Sequence, residues 1–245
     1  MILPPDELRK LTELKHRSPH SVLGLHPHSN PSGLVARALL PNASKVTLQP
    51  VAKATGVLIE LQRVHKSGLF EGATDAATEV FKYELVVTDD KGNTRTVRDP
   101  YSFLPTLSDD DLYLFGKGDD RKLHDKLGAQ LRTVDGVAGT SFAVWAPNAQ
   151  RISVVGDFNN WDGHYHQMRS MGSSGVWEIF IPGVGEGAHY KYELRDHNSH
   201  IRLKTDPCAY FMEVPPKQAS IVWNNKKFKW TDDAWLKKRK KTNPL

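Results

Sequence analysis

Three features of the sequence predict an all-β chain built as two tandem immunoglobulin-like β-sandwiches with short flanking helices. Strand-length runs rich in β-branched and aromatic residues recur along it, Pro-Asn, Gly-Ser and Pro-Gly turns separate them, and one half echoes the other. Gly33-Leu34-Val35-Ala36-Arg37-Ala38-Leu39-Leu40-Pro41-Asn42-Ala43 is matched by Gly139-Thr140-Ser141-Phe142-Ala143-Val144-Trp145-Ala146-Pro147-Asn148-Ala149. Lys45-Val46-Thr47-Leu48 then matches Arg151-Ile152-Ser153-Val154, Lys82-Tyr83-Glu84-Leu85 matches Lys191-Tyr192-Glu193-Leu194, and Asp99-Pro100 matches Asp206-Pro207. A repeat of roughly a hundred residues is too long for a solenoid unit and suits a duplicated domain.

Taken in order, Pro5 to Lys15 places Leu8, Leu11 and Leu14 on one side of a helix. About seven strands per copy follow, a sandwich of immunoglobulin size without its cysteine pair. The division expected is residues 1–105 for a first sandwich with its leading helix, 106–130 for a linker, 131–228 for a second sandwich and 229–245 for a C-terminal helix. Within the linker, Ser108 caps a short helix opened by Asp109-Asp110-Asp111. The C-terminal helix takes Thr231 as its cap, Asp232 and Asp233 in its first turn, and Lys237-Lys238-Arg239-Lys240-Lys241 in its last, as a helix dipole favours.

Composition narrows the function classes. With 39% hydrophobic and 25% charged residues, and no apolar run long enough to cross a bilayer, the chain reads as an ordinary soluble protein with no membrane partner. The formal charge of +5 sits largely in the basic cluster near the C-terminus. A solvated or interdomain helix accounts for that cluster; a nucleic-acid tail is the alternative, and no nucleic-acid partner is expected. The opening Met1 to Glu7 has neither a basic leader nor a long apolar segment, so no signal peptide is expected. A single cysteine, Cys208, suits a reducing compartment, and a cytoplasmic location is expected.

The segment Val154-Val155-Gly156-Asp157-Phe158-Asn159-Asn160-Trp161-Asp162-Gly163 carries the most chemistry. Asp157, Asn159, Asn160 and Asp162 bond their own backbone and tolerate left-handed dihedrals, so a tight connection between strands is expected, bracketed by Gly156 and Gly163. Phe158 reads as the inward anchor. Two readings are open for Trp161: a plug at the end of the sandwich, or an outward plate whose apolar face and single N–H suit the C–H face and hydroxyl rim of a glucose ring.

The tandem order, the leading His16-Arg17-Ser18-Pro19-His20-Ser21-Val22-Leu23-Gly24 and the Gly156-to-Trp161 turn together resemble the amino-terminal part of bacterial 1,4-α-glucan (glycogen) branching enzymes over nearly the whole chain. The second copy resembles the carbohydrate-binding module shared by branching enzymes, debranching enzymes and the glycogen-sensing kinase subunit; the first resembles the extra N-terminal domain of longer bacterial branching enzymes. The resemblance implies part of a transferase that moves an α-1,4-glucan segment to a 6-hydroxyl, with glycogen or maltooligosaccharides as partners, along with the protein's own catalytic barrel. Such retaining chemistry needs two carboxylates about 5–5.5 Å apart, which in this family lie on the barrel. The chain is expected to stop before it, with Asn243-Pro244-Leu245 at the junction, so no catalytic residue and no branching activity are expected of these residues alone.

Carried over residue by residue, Trp161 matches the module's first stacking tryptophan and Lys191 its hydroxyl-binding lysine, while the second tryptophan's place falls near Asn198 and the late asparagine's near Ser220. The sugar-binding candidates are therefore Trp161, Lys191 and Asn198. Strand alternation turns Tyr190 and Tyr192 away from Lys191 and into the core. His16, His20, His26, His28, His164 and His166 lack the partner spacing of a metal site, and neither metal nor cofactor is expected. Gly183 to Gly187 reads as a hairpin, and Asp99-Pro100 and Asp206-Pro207 as strand ends whose aspartates bond the turn backbone. The alternative function is a stand-alone glycan-binding or scaffold protein.

Overall fold

The computed structural model describes residues 2–29, 32–51 and 55–241. Its first half is one antiparallel seven-stranded sheet made of β1 (Gly24–Ser29), β2 (Ser32–Leu39), β3 (Ala43–Pro50), β4 (Ile59–His65), β5 (Leu69–Thr74), β6 (Tyr83–Asp89) and β7 (Thr94–Val97), in the order β1-β2-β5-β4-β3-β6-β7. Along β4 the partner changes: Ile59 to Leu61 pair with β3, and Gln62 to His65 with β5. The sheet therefore folds over on itself around Val46, Leu48, Phe70 and Leu85.

The second half has two sheets. Four strands, β8 (Gly128–Val134), β9 (Val137–Trp145), β11 (Arg169–Ser170) and β12 (Val176–Pro182), lie in the order β11-β12-β9-β8. Facing them are β10 (Arg151–Gly156), β13 (His189–Arg195), β16 (Ser220–Ile221) and β15 (Phe211–Met212), with β14 (Ile201–Lys204) also on β13. The all-β class is as the sequence predicts. Strand β8 starts at Gly128, so its first residues fall in the stretch read as linker.

Strand β12 is buried from Val176 to Ile181 because both its faces are covered. Ile179 and Ile181 join the sandwich core with Phe142, Ile152 and Val154. On the outer face, Phe180 meets Phe103 edge-on at 4.8 Å, and Leu107, Leu127 and Phe115 of the connecting segment pack over Ala143 and Val176. The connection between the halves is thus a cover for the second sandwich. Leu3, Leu11, Leu23, Leu39 and Tyr101 of the first half belong to the same apolar cluster as Phe142 and Trp177 of the second, so one cluster spans both halves beside the first sheet's own core.

Helix α1 (Pro5–Thr12) buries Leu11, and Leu14 is buried just beyond its end. Helix α2 (Asp109–Lys117) carries the expected Ser108 cap, completed to a capping box by Asp111. Helix α3 (Asp233–Lys241) starts later than the sequence reading: Leu236 N–H donates to the Asp232 carbonyl, which puts Asp232 and not Thr231 at the cap. The Asn243-Pro244-Leu245 junction lies outside the described residues. Gly183 to Gly187 is not a hairpin, because β12 and β13 lie in different sheets. Gly183 and Gly187, at φ 76° and 91°, carry the chain across the sandwich.

Both copies repeat one buried fastening. The Tyr83 hydroxyl donates to Asp99 Oδ2 and the Tyr190 hydroxyl to Asp206 Oδ2, each at 2.6 Å. Each aspartate's Oδ1 accepts a backbone N–H two residues on, from Tyr101 and from Cys208, as the Asp-Pro reading anticipates. Burial raises both carboxyls, Asp99 to about 6.

Candidate functional site

Strand β10 ends at Gly156, and the chain reverses through a short 3₁₀ turn, Asp157–Asn159. Asn159 is the strut of this turn. Its Oδ1 accepts Gly156 N–H at 2.9 Å, and its Nδ2 donates to Val154 O and His166 Nδ1, each at 2.8 Å. The return arm runs back beside β10, with Val154 N–H on His166 O and Met168 N–H on Ile152 O, before crossing to β11. The reversal is tight as expected, although it joins strands of opposite sheets.

Backbone crowding requires Gly156, while a side chain at Gly163 would have to displace the Glu193 carboxylate from its place beside Arg151. A Cβ on Gly156 would stand 2.2 Å from His189 O, and one on Gly163 2.2 Å from Glu193 Oε1. The left-handed positions belong to Asn160 and Trp161, at φ 55° and 59°. Asparagine accepts that conformation readily; a bulky aromatic there is strained and marks a site worth testing for function.

Trp161 is 37% exposed, so it faces outward, while Phe158 packs on the core as the inward anchor. The indole N–H donates to Asp157 Oδ1 at 3.0 Å. Lys191 stands opposite Val155 in the register of β10 and β13, one pair from the start of the turn, and its neighbours Tyr190 and Tyr192 are buried at 0% and 1%. Trp161 and Lys191 thus lie at the same end of the sheet. Asn198 does not: it is exposed in the β13–β14 hairpin, beyond Arg195 at the other end. At ~3.3 Å per residue the strand separates it from Lys191 by roughly 20 Å. Ser220 is buried, with its hydroxyl accepting Asp206 N–H.

Sequence reading missed the groups that brace the opposite end of this strand pair, where β10 starts beside Arg195. Arg151, fully buried, donates to Glu193 Oε1 at 2.8 Å, to Ser153 Oγ at 2.9 Å and to the Leu14 carbonyl at 3.4 Å, tying α1 to β10 and β13. A positive charge in the β-repeat gave no sign of burial; only the compensating Glu193 across the strand pair could have hinted at it.

Burial, with Arg95 nearby, pushes His166 down to about 3. Since Asn159 Nδ2 can only donate, His166 Nδ1 accepts, and the ring is neutral in the folded state. A histidine depressed on folding is protonated first in the unfolded chain, so its contribution to stability is lost as pH falls below 6.5. Between pH 7 and pH 5 that amounts to about 2 kcal/mol. His166→Gln is expected to flatten the pH dependence of the unfolding free energy from urea titrations by this amount over that range; an unchanged slope would contradict the assignment.

Among the described residues no group of three or more His, Cys, Asp or Glu side chains could hold a metal, and no helix is long and apolar enough to cross a membrane. Residues 4–101 match the model of the alpha-1,4-glucan branching enzyme GlgB N-terminal domain, and residues 126–209 match carbohydrate-binding module 48, the isoamylase N-terminal domain. The 1,4-alpha-glucan branching enzyme GlgB of Myxococcus xanthus is 45% identical over 95% of this chain and 31% of its own length. That of Synechocystis sp. is 43% identical over 98% of this chain and 31% of its own. The chain therefore spans about a third of the length of these curated relatives. Among solved structures, a pullulanase from Anoxybacillus sp. LM18-11 matches at a TM-score of 0.36 and 18% identity, covering 81% of this chain and 27% of that one.

Proposed function

Because the chain belongs to the GlgB branching-enzyme family over its N-terminal-domain and carbohydrate-module regions, we propose that it is the glucan-contacting, domain-positioning portion of a 1,4-alpha-glucan branching enzyme. In the whole enzyme an α-1,4-glucan segment is transferred to a 6-hydroxyl to make an α-1,6 branch. These residues take no part in the bond exchange; they hold the polymer and fix the geometry of the units that do. We read residues 1–105 and 131–228 as two units joined by 106–130, acting as one body.

The observation that carries this reading is Trp161, an exposed indole kept at a left-handed backbone position and pinned by Asp157. Its outer face would stack on a glucose ring, with Lys191 donating to a hydroxyl. One indole face burying ~100 Å² contributes roughly 2.5 kcal/mol at 25 cal/mol per Å², whereas association costs about 4 kcal/mol or more in rigid-body freedom. The contact is weak alone, and affinity arises from several such contacts along one polymer. Asn198, roughly 20 Å from Lys191 along the strand, would meet a different stretch of the same glucan.

Affinity electrophoresis in glycogen-loaded gels tests the assignment. Trp161→Ala is expected to lose most retention, and unchanged retention would overturn the site. Trp161→Gly should lose retention equally, yet unfold about 1 kcal/mol later than Trp161→Ala, because glycine takes φ 59° without a Cβ penalty.

A further inference from the structure

The turn that presents Trp161 has a second side, and it faces the first sandwich. There Asn160 and Tyr165 look across a cleft at Asn42, at the β2–β3 turn, and at Asn93 and Arg95 of the β6–β7 hairpin. The cleft holds about 160 Å³ and adjoins a larger cavity of about 260 Å³ between the two halves, sharing Arg95, Asn160 and Tyr165 with it. Tyr101 OH donates to the Tyr165 carbonyl at 3.1 Å, and Asn42 lies beside the Tyr165 hydroxyl on the cleft wall. Among the described residues the side chains of Asn160 and Arg95 make no hydrogen bond to the protein.

The chemistry of this lining selects a ligand. Three amides, a phenol and a guanidinium offer donors and acceptors around an aromatic edge, which suits vicinal hydroxyls on an uncharged ring. Asp89 borders the same cleft, ionised and held by the N–H groups of Lys91 and Asn93 and the Asn93 amide, and its charge disfavours a phosphate.

We propose that this cleft is a second α-glucan subsite, taking one or two glucose units of the polymer between the sandwiches, with Asn160, Arg95 and Asn93 as hydroxyl partners and Tyr165 as its wall. The turn then grips glucan on both sides, Trp161 outward and Asn160 inward, and the first sandwich contributes directly to binding. The proposal rests on the glucan reading above.

The test uses the full 245-residue chain, amide NMR and maltoheptaose. Backbone signals of Asn42, Asn93 and Asn160 are expected to shift on titration, and to shift also in Trp161→Gly. The pair R95A/N160G is expected to weaken binding about tenfold, two hydrogen bonds' worth. Arg95 is exposed, and glycine is unstrained at the φ of 55° at residue 160, so this variant folds. Cleft signals that stay still while the Trp161 region moves would overturn the subsite and leave the Trp161 reading intact, as would cleft signals moved by inorganic phosphate and not by maltoheptaose. Cleft signals that move, with Trp161→Gly binding as tightly as the parent, would uphold the subsite and sink the Trp161 assignment. No response anywhere would end both.

Discussion

Replacing Glu178 by alanine is expected to destabilise the protein by about 3–5 kcal/mol, the cost of stranding a buried charge. Glu178 is fully buried on β12, and its Oε2 accepts from Arg169 Nε at 2.8 Å, directly opposite in the register of β11 and β12. Its Oε1 accepts from the Thr106 backbone at 3.1 Å and hydroxyl at 2.8 Å, while Arg169 donates onward to the Phe103 carbonyl at 3.0 Å. Alanine would leave the guanidinium unpaired under the connecting segment and release Thr106. At ~2–4 °C per kcal/mol for a chain of this size, the thermal midpoint should fall by roughly 6–20 °C in a calorimetric scan. Glu178→Gln retains the Thr106 acceptor and should fall between the two. A shift under ~2 °C for the alanine variant would mean that the pair is not enclosed as described.

Removing Tyr101 should have an effect of similar size and a different signature. Its ring is 8% exposed and meets His20 edge-on at 4.9 Å, while its hydroxyl accepts from Gln167 N–H at 2.9 Å. Tyr101→Ala opens a cavity in the core common to both halves, worth about 3–5 kcal/mol, and orphans a buried N–H, worth about 1–3 kcal/mol more. Since Tyr101 links the halves, the single unfolding transition expected of the parent should split in two. Tyr101→Phe, which keeps the ring, should lower the midpoint without splitting it. One sharp transition at the parent's midpoint in the alanine variant would refute the linkage.

Much of this was legible in sequence because it is local or periodic. The Gly33 and Gly139 echo marks two β units, the alternation through Tyr190-Lys191-Tyr192 turns the tyrosines inward, and Ser108 before three aspartates marks a helix start. Asp99-Pro100 and Asp206-Pro207 mark backbone-bonding turns in the sequence, while nothing local points to their tyrosine partners sixteen residues earlier. What escaped is long-range. Arg151 and Glu178 look like surface charges until a segment far away in sequence covers them. Gly183 to Gly187 looks like a hairpin because nothing local states that its flanking strands belong to different sheets. The cleft beside Asn160 escaped for the same reason, since its two walls come from separate copies of the repeat.

The bond from the Trp161 indole to Asp157 bears on the entropy of any encounter with sugar. A large side chain that swings freely must be immobilised on contact, at about 0.5–1.5 kcal/mol per residue. Here the ring is already held before a ligand arrives, so this side-chain cost is not added to the rigid-body cost of association. Asp157→Ala, which frees the rotor and leaves the ring's area untouched, would hand that loss back to each encounter with the polymer.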